Sequence, residues 1–342
     1  MIKNALVLIL SCYILTGCNN STTHSTSQPQ KHETDYSPKL SSLGTLAQCQ
    51  KYSGLPSDWG QNKYSGMIKI PAGDFNLGSE LAYQDEQNFG VKKKHVSSFW
   101  IDQTEVTVAE FQTFVDATKY KTDAEQQKEA AVFSPQQLSN QSNPQKWWVL
   151  KTGYSWKMPH GDGGTPANPS EPVRYVTLND AEHYAAWKGR EIPTEIEWEY
   201  AAKAGQQKDI NMHHQPRDQH HHPQANYWQG KFPFENKDED GFKEVAPVGC
   251  FQANSFGLHD MIGNVWEWTT SPYQGAHDMH LGNPSALRQN DHTIQTREYV
   301  IKGGSFLCAD NYCARFRNSA RYPQEVDLAI THVGFRTIIR DH

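Results

Sequence analysis

The chain has 342 residues, with 38 acidic side chains against 32 basic ones and a formal net charge of −6. That balance, with no basic run beyond Lys92-Lys93-Lys94-His95, gives no electrostatic footprint for a nucleic acid, and the run itself reads as a solvated strand edge. Ten Trp, fifteen Tyr and fourteen Phe supply apolar surface for one large domain or two small ones, and no internal repeat is visible.

The N-terminus reads as an address. One early positive charge, Lys3, precedes an apolar stretch from Ala5 to Leu15 that is too short to span a bilayer, which takes about 20 residues. Leu15-Thr16-Gly17-Cys18 follows and resembles a bacterial lipobox. Residues 1–18 are therefore expected to be a lipoprotein signal peptide with Cys18 as the lipidated residue. Asn19 stands where an aspartate would signal inner-membrane retention, so the expected location is the cell envelope, anchored to the outer membrane and facing the periplasm. Residues 19–62 are assigned to a polar tether, because Ser, Thr, Gln, Asn and His dominate from Asn19 to about Pro38 and cannot bury enough surface to offset ordering entropy. The folded domain is assigned to residues 63–342.

Within it, Ile68–Leu77 carries a Pro-Ala-Gly-Asp turn between two short extended runs and predicts a hairpin. Val96–Thr107 alternates apolar and polar residues, and Phe111, Phe114 and Val115 are spaced for a helix over Val108–Thr118. A loop-rich stretch with Trp147, Trp148 and Trp156 runs to Pro172. Asn179 is read as the cap of a helix over Asp180–Lys188, and Thr194 as the cap of one over Glu195–Lys203. The remainder is irregular and rich in aromatic residues. It lacks the regular strand–helix alternation of a parallel-sheet enzyme, which points to an α+β fold of low regular secondary structure.

Six cysteines sharpen the functional question. Cys12 leaves with the signal and Cys18 takes the lipid; Cys49, Cys250, Cys308 and Cys313 remain for an oxidising compartment. Either two structural disulfides form, or Cys49 pairs with Cys250 and Cys308/Cys313 is a functional pair. Two thiolates at this spacing suit a disulfide or a soft metal such as Cu(I). Arg315 and Arg317, just beyond them, are expected to be solvated or paired at the surface.

Ordered segments over most of the domain resemble the formylglycine-generating enzymes, or sulfatase-modifying factors. They are IPAGDFNLGS (70–79), FWIDQTEVTVAEFQTFV (99–115), EPVRYVTLNDAEHYAAWKGREIPTEIEWEYAAKAG (171–205), ANYWQGKFPFENKDEDGF (225–242), FGLHDMIGNVWEWT (256–269), GGSFLCADNYCARFRNSAR (303–321) and VGFR (333–336). The resemblance implies that family's variant of the C-type-lectin-like fold. It implies a copper- and O2-dependent oxidation of a cysteine in a Cys-x-Pro-x-Arg motif of an exported sulfatase-type polypeptide to Cα-formylglycine, with a thiol reductant. It places Cu(I) on Cys308 and Cys313, Ser305 and Arg321 as assisting residues, and Trp266 and Tyr312 as cavity walls, with core packing the alternative for those two aromatics. It further implies Ca2+ at Asn226, Tyr227, Asp240 and Phe242, and again at Asp260, Gly263, Val265 and Glu267, with oxygen donors of the kind Ca2+ takes. The His-rich insert Met212–Pro223 departs from the family pattern and is read as a polar loop or a metal collector. The same scaffold also admits a maturation oxidase for another exported substrate, a siderophore or peptide, and a non-catalytic envelope binding module.

Overall fold

The computed structural model describes residues 43–87, 91–134, 147–206, 215–274 and 297–341. The signal segment with Cys18, most of the tether, and residues 212–214 of the His-rich insert lie outside the described residues. Among the described residues no helix is long and apolar enough to cross a membrane.

Short elements dominate, in line with the sequence expectation. A one-turn helix α1 (Leu46–Cys49) leads to β1 (Met67–Ile70) and β2 (Gly73–Leu77), then to a second short helix α2 (Gln84–Gln87). β3 (Lys92–Val96) and β4 (Phe99–Asp102) precede α3 (Val108–Thr118), α4 (Asp123–Gln127), β5 (Ala130–Phe133) and β6 (Trp148–Lys151). Helices α5 (Leu178–Lys188) and α6 (Glu195–Lys203) are followed by β7 (Trp266–Pro272), β8 (Glu298–Lys302), β9 (Arg321–Glu325), β10 (Val333–Gly334) and β11 (Ile338–Arg340). β4 lies between β1 and β11, all antiparallel. A four-stranded sheet runs β10-β7-β8-β9, with β10 parallel to β7.

Three expectations are corrected. The predicted Ile68–Leu77 hairpin does not form: β1 pairs with β4, and β2 with β3. Pro71 has no N–H for a hairpin ladder, and its carbonyl accepts the Tyr200 hydroxyl at 2.9 Å instead, so the chain passes from one sheet to the next. Helix α5 starts at Leu178, earlier than read. Thr177 is its cap, in a reciprocal capping box with Asp180, and Asn179 lies within the helix. Residues 43–62 are not free tether. Gly44 N donates to Gly249 O at 2.8 Å, the Thr107 hydroxyl donates to Gly54 O, and Cys49 is disulfide-bonded to Cys250.

The helices Val108–Thr118 and Glu195–Lys203 form where expected, each with a threonine capping box, at Thr107 and Thr194. The Lys92–Lys94 run does lie on a strand with exposed or half-exposed side chains. The main core joins Phe111, Tyr184 and Phe335 to Trp156, Trp268 and the aromatic residues around Cys308. The helices and the cysteine loop thus share one core.

Candidate active site around a free cysteine pair

β8 ends at Lys302, and the next two residues turn the chain out of the sheet. Gly303 and Gly304 both have positive φ, and a Cβ on Gly304 would lie 2.6 Å from Arg315 O. Only glycine fits that close approach without strain. The turn then folds on itself: Cys308 N donates to Ser305 O at 2.9 Å, and Cys313 N to Ala309 O at 2.9 Å. These two short-range bonds bring the cysteine side chains to the same side.

Cys308 and Cys313 are free thiols with their Sγ atoms 4.0 Å apart. A disulfide would need about 2.05 Å. The observed gap is shorter than two metal–thiolate bonds of ~2.3 Å laid end to end, so a soft ion bound by both sulfurs at an angle fits the donor set. Of the two cysteine arrangements left open by the sequence, the structure has Cys49–Cys250 bonded and the second pair reduced. Burial, and then Cys313 itself, pushes the Cys308 thiol well up. The hydrogen bond from Cys308 holds Cys313 below the usual thiol range against burial, and Arg315 adds to it. Cys313 is thus the more readily deprotonated thiol of the pair and Cys308 its hydrogen-bond donor.

A cavity of about 40 Å³ opens on the pair, room for one or two molecules of water size. Its walls include Ser305, Trp266 and Tyr312. Tyr312 is stacked on Phe232 at 4.7 Å and meets Trp147 edge-on at 4.8 Å, so wall and packing roles coincide. Ser305 is fully buried; its N–H points to Cys308 Sγ at 3.4 Å and its Oγ accepts from Leu307 N at 3.3 Å.

Arg321 is not brought to this cavity. It makes two hydrogen bonds to Glu195 of α6, at 2.8 and 3.1 Å, and lines a different cavity of about 170 Å³. Arg315 and Arg317, expected at the surface, are instead buried behind the cysteine loop. Glu86 bridges them, taking Arg315 at 2.5 Å and Arg317 at 2.6 Å, while Asp85 takes Arg315 at 2.8 Å. The ring of Tyr83 lies 4.7 Å from Arg315, and its hydroxyl accepts from Ala314 N at 2.9 Å. The segment around α2 thus clamps the loop from behind.

His332 was missed by the sequence reading. It lines the cysteine cavity, its Nδ1 has no hydrogen-bond partner, and burial pushes the ring down to about 3, so it stays neutral. A lone histidine beside Val-Gly-Phe-Arg carries no signal of its own. Only the return of the chain to β7, where Trp266 N donates to His332 O at 2.8 Å, places it at the site.

The two implied calcium sets differ in how they are held. Asp240 accepts from Tyr227 N at 3.2 Å and Phe242 N at 2.9 Å, and burial pushes its carboxyl up to about 6. Asn226 donates to Glu244 O at 2.8 Å and Asn264 Oδ1 at 3.1 Å. In the second set, Glu267 is taken by Arg336 through both oxygens at 2.7 Å and by Trp198 Nε1 at 2.7 Å, and Asp260 accepts from Gly249 N at 2.5 Å. Gly263 and Val265 have no ligating side chain and would offer carbonyls. Beside them lies Glu105, also missed from the sequence. It is fully buried, its Oε1 accepts from Asn264 at 3.1 Å and its Oε2 has no donor. Burial, then Asp260 and Glu267, raises its carboxyl well above the normal range. Glu105 Oε2 is thus a buried carboxyl oxygen with no donor, of the kind a hard cation takes. Among the described residues no three acidic, His or Cys side chains converge as a cage, so a cation at either set would depend on backbone carbonyls. This acidic centre adjoins the cysteine loop: Gly263 N donates to Gly303 O at 3.0 Å and Phe306 N to Asn264 O at 2.9 Å.

An α+β domain with little regular structure and a reduced, walled cysteine pair is the class that fold and site define. Residues 52–341 match the family model described as the sulfatase-modifying factor enzyme 1-like domain. The chain is 37% identical over 295 residues to a formylglycine-generating enzyme of Thermomonospora curvata, covering 82% of this chain and 96% of that one. It is also 34% identical over 315 residues to the "Inactive C-alpha-formylglycine-generating enzyme 2" of Bos taurus, covering 88% and 94%. Among solved structures, PvdO from Pseudomonas aeruginosa superposes with a TM-score of 0.55 at 22% identity, covering 80% of this chain and 94% of that one; that likeness bears on the fold alone. The chain belongs to the sulfatase-modifying factor enzyme 1-like family, and the expected fold class stands.

Proposed function

We propose that this protein is an oxidase that converts a cysteine of a sulfatase-type polypeptide into Cα-formylglycine, reading a Cys-x-Pro-x-Arg motif. Family membership alone does not decide activity, since one relative of similar identity is named inactive. The observation that carries the reading is the reduced pair: two thiols 4.0 Å apart, Cys313 the more readily deprotonated, facing a small cavity walled by aromatic side chains.

The overall change takes the substrate thiomethyl group, O2 and two reducing equivalents (two electrons and two protons) from a thiol to an aldehyde, hydrogen sulfide and water. Copper, when bound by Cys308 and Cys313, supplies the one-electron and O2 chemistry that no side chain can. The chain's own residues do the rest. Ser305 fixes the Cys308 sulfur through its N–H. Trp266 and Tyr312 narrow the cavity and exclude water, which protects a reactive centre from side reactions. Arg321, tied to Glu195, joins β9 to α6 and has a positioning role only. Calcium at the two acidic sets would hold loops and take no part in the chemistry. The Cys49–Cys250 disulfide supports an exported protein in an oxidising compartment, in keeping with lipid anchoring at Cys18 in the outer membrane.

The test is mass spectrometry of a Cys-x-Pro-x-Arg peptide incubated with the detergent-solubilised full chain, Cu(I), a thiol reductant and air. Exchange of the cysteine thiomethyl group for an aldehyde, absent with Cys308→Ser, is the expected result. Copper binding without turnover would redirect the search to another substrate. Neither binding nor turnover would overturn the reading.

A further inference from the structure

A second, larger cavity lies beside the cysteine site and plays no part in the chemistry above. It measures about 410 Å³, and Leu307 lines both it and the cysteine cavity. Two more of its walls meet Phe232 of the cysteine cavity: Phe133 stacks on it at 5.3 Å and Trp228 packs edge-on at 5.0 Å. Thr331 lines this cavity while the next residue, His332, lines the other. A chain whose cysteine sits at Cys308/Cys313 therefore has this cavity as a neighbour.

Its charge is one-sided. Lys151, Arg174 and Lys243 face it, with His160 beside them, against one carboxylate, Glu244. Arg174 is 3% exposed and rigidly held, donating to Glu244 at 3.0 Å and to Thr331 O at 3.4 Å. Glu244 is itself about half exposed and also lies 3.8 Å from His160. A half-exposed carboxylate seated on a buried guanidinium occupies the position that an incoming carboxylate would take.

We propose that this cavity is a specificity subsite for an acidic side chain of the polypeptide substrate, near the cysteine that is oxidised. The inference rests on the proposed cysteine oxidation, and it names a substrate feature outside the Cys-x-Pro-x-Arg motif. Cavities on two sides of one packed side chain lie on the order of 10 Å apart, the spacing of packed layers. That is about three residues of extended chain at ~3.3 Å each. Lys151 and Lys243 receive the carboxylate and Arg174 anchors the site, while Glu244 acts as an internal competitor.

The experiment compares motif peptides that carry Glu, Ala or Lys at positions two to four residues before the cysteine, with the Cys-x-Pro-x-Arg residues kept unchanged. Turnover is read by mass spectrometry and binding by fluorescence anisotropy, with the full chain and with Lys151→Glu/Lys243→Glu. For the full chain, one position is expected to favour Glu over Lys by about five- to tenfold in kcat/KM and in binding, less at high salt. The double variant is expected to reverse that order, and Glu244→Gln to tighten binding of the Glu peptide. Turnover of all peptides with no position discriminating charge would overturn the subsite and leave the oxidase reading intact. Preferential binding of Glu peptides without turnover would support the subsite and overturn the chemistry. Neither binding nor turnover would overturn both.

Discussion

Glu86 is the single carboxylate that holds the two arginines behind the cysteine loop, and its loss should be costly. It accepts Arg315 at 2.5 Å, Arg317 at 2.6 Å, Tyr83 N at 3.0 Å and Arg321 N at 3.3 Å. Burial pushes its carboxyl up, but Arg315 and Arg317 outweigh that and hold it below the normal range. Glu86→Gln keeps the shape and removes the charge, leaving Arg315 with Asp85 and Arg317 without the carboxylate that Glu86 had supplied. Two charge-assisted hydrogen bonds at about 1.5–3 kcal/mol each give about 3–6 kcal/mol. Breaking a buried ion pair by removing one partner costs about 3–5 kcal/mol, which agrees. Against a total stability of roughly 5–15 kcal/mol this is a large fraction, and it lowers Tm on the order of 10 °C. The assay is urea unfolding by tryptophan fluorescence, with exposed Asp116→Asn as a control expected within about 0.5 kcal/mol. A Glu86→Gln protein within about 1 kcal/mol of the parent would refute the clamp.

Three further outcomes follow from named contacts. Cys49→Ser and Cys250→Ser should destabilise equally, because either opens a disulfide whose ends are 201 residues apart, worth up to about 5 kcal/mol by chain entropy; unequal or negligible losses in thermal unfolding would count against it. Removing calcium with a chelator should lower Tm, and calcium should restore it, by about 2.7 kcal/mol per site at a hundred times Kd, whereas Glu105→Gln should blunt the response. Burial pushes Asp180 from 3.8 up to about 6, so the folded state binds the extra proton between those values. Stability should therefore be highest below about pH 4 and fall by about 3 kcal/mol as pH rises through 6 on this account, a slope that Asp180→Asn removes in unfolding measured from pH 4 to 7.

Local signals in the sequence were read where one residue decides one conformation. Thr194 followed three residues later by Glu197 forms a capping box, and the helix begins there. The same signal at Thr177, with Asp180, was passed over for Asn179, although a reciprocal Thr-x-x-Asp pair satisfies two orphan N–H groups and a lone Asn at most one. Gly303-Gly304 and the cysteine spacing located the site, because a turn of that tightness and two thiols five positions apart act over a few residues. What the sequence could not show is what comes from far along the chain. Glu86 lies 229 positions from Arg315, and Glu105 lies 159 from Asn264. The arginines looked like surface residues because their carboxylate partners are supplied by α2, remote in sequence.

Arg321 makes the same point in the other direction. Its register on β9 opposite Lys302 of β8 puts it beside Glu195 and Glu199 of α6, where Lys302 is already bound to Glu199 at 2.8 Å. Three cations, Arg321, Lys302 and Lys203, share two carboxylates, Glu195 and Glu199, in one network, and withdrawing Arg321 toward the cysteines would leave Glu195 short of its bidentate partner. A residue that sits in register with a motif is thus assigned by the charges that the fold brings to it. For this chain that argument moves Arg321 from the chemistry to the frame, and gives His332, neutral and lining the cavity with an unpartnered ring nitrogen, a place that its sequence neighbourhood never suggested.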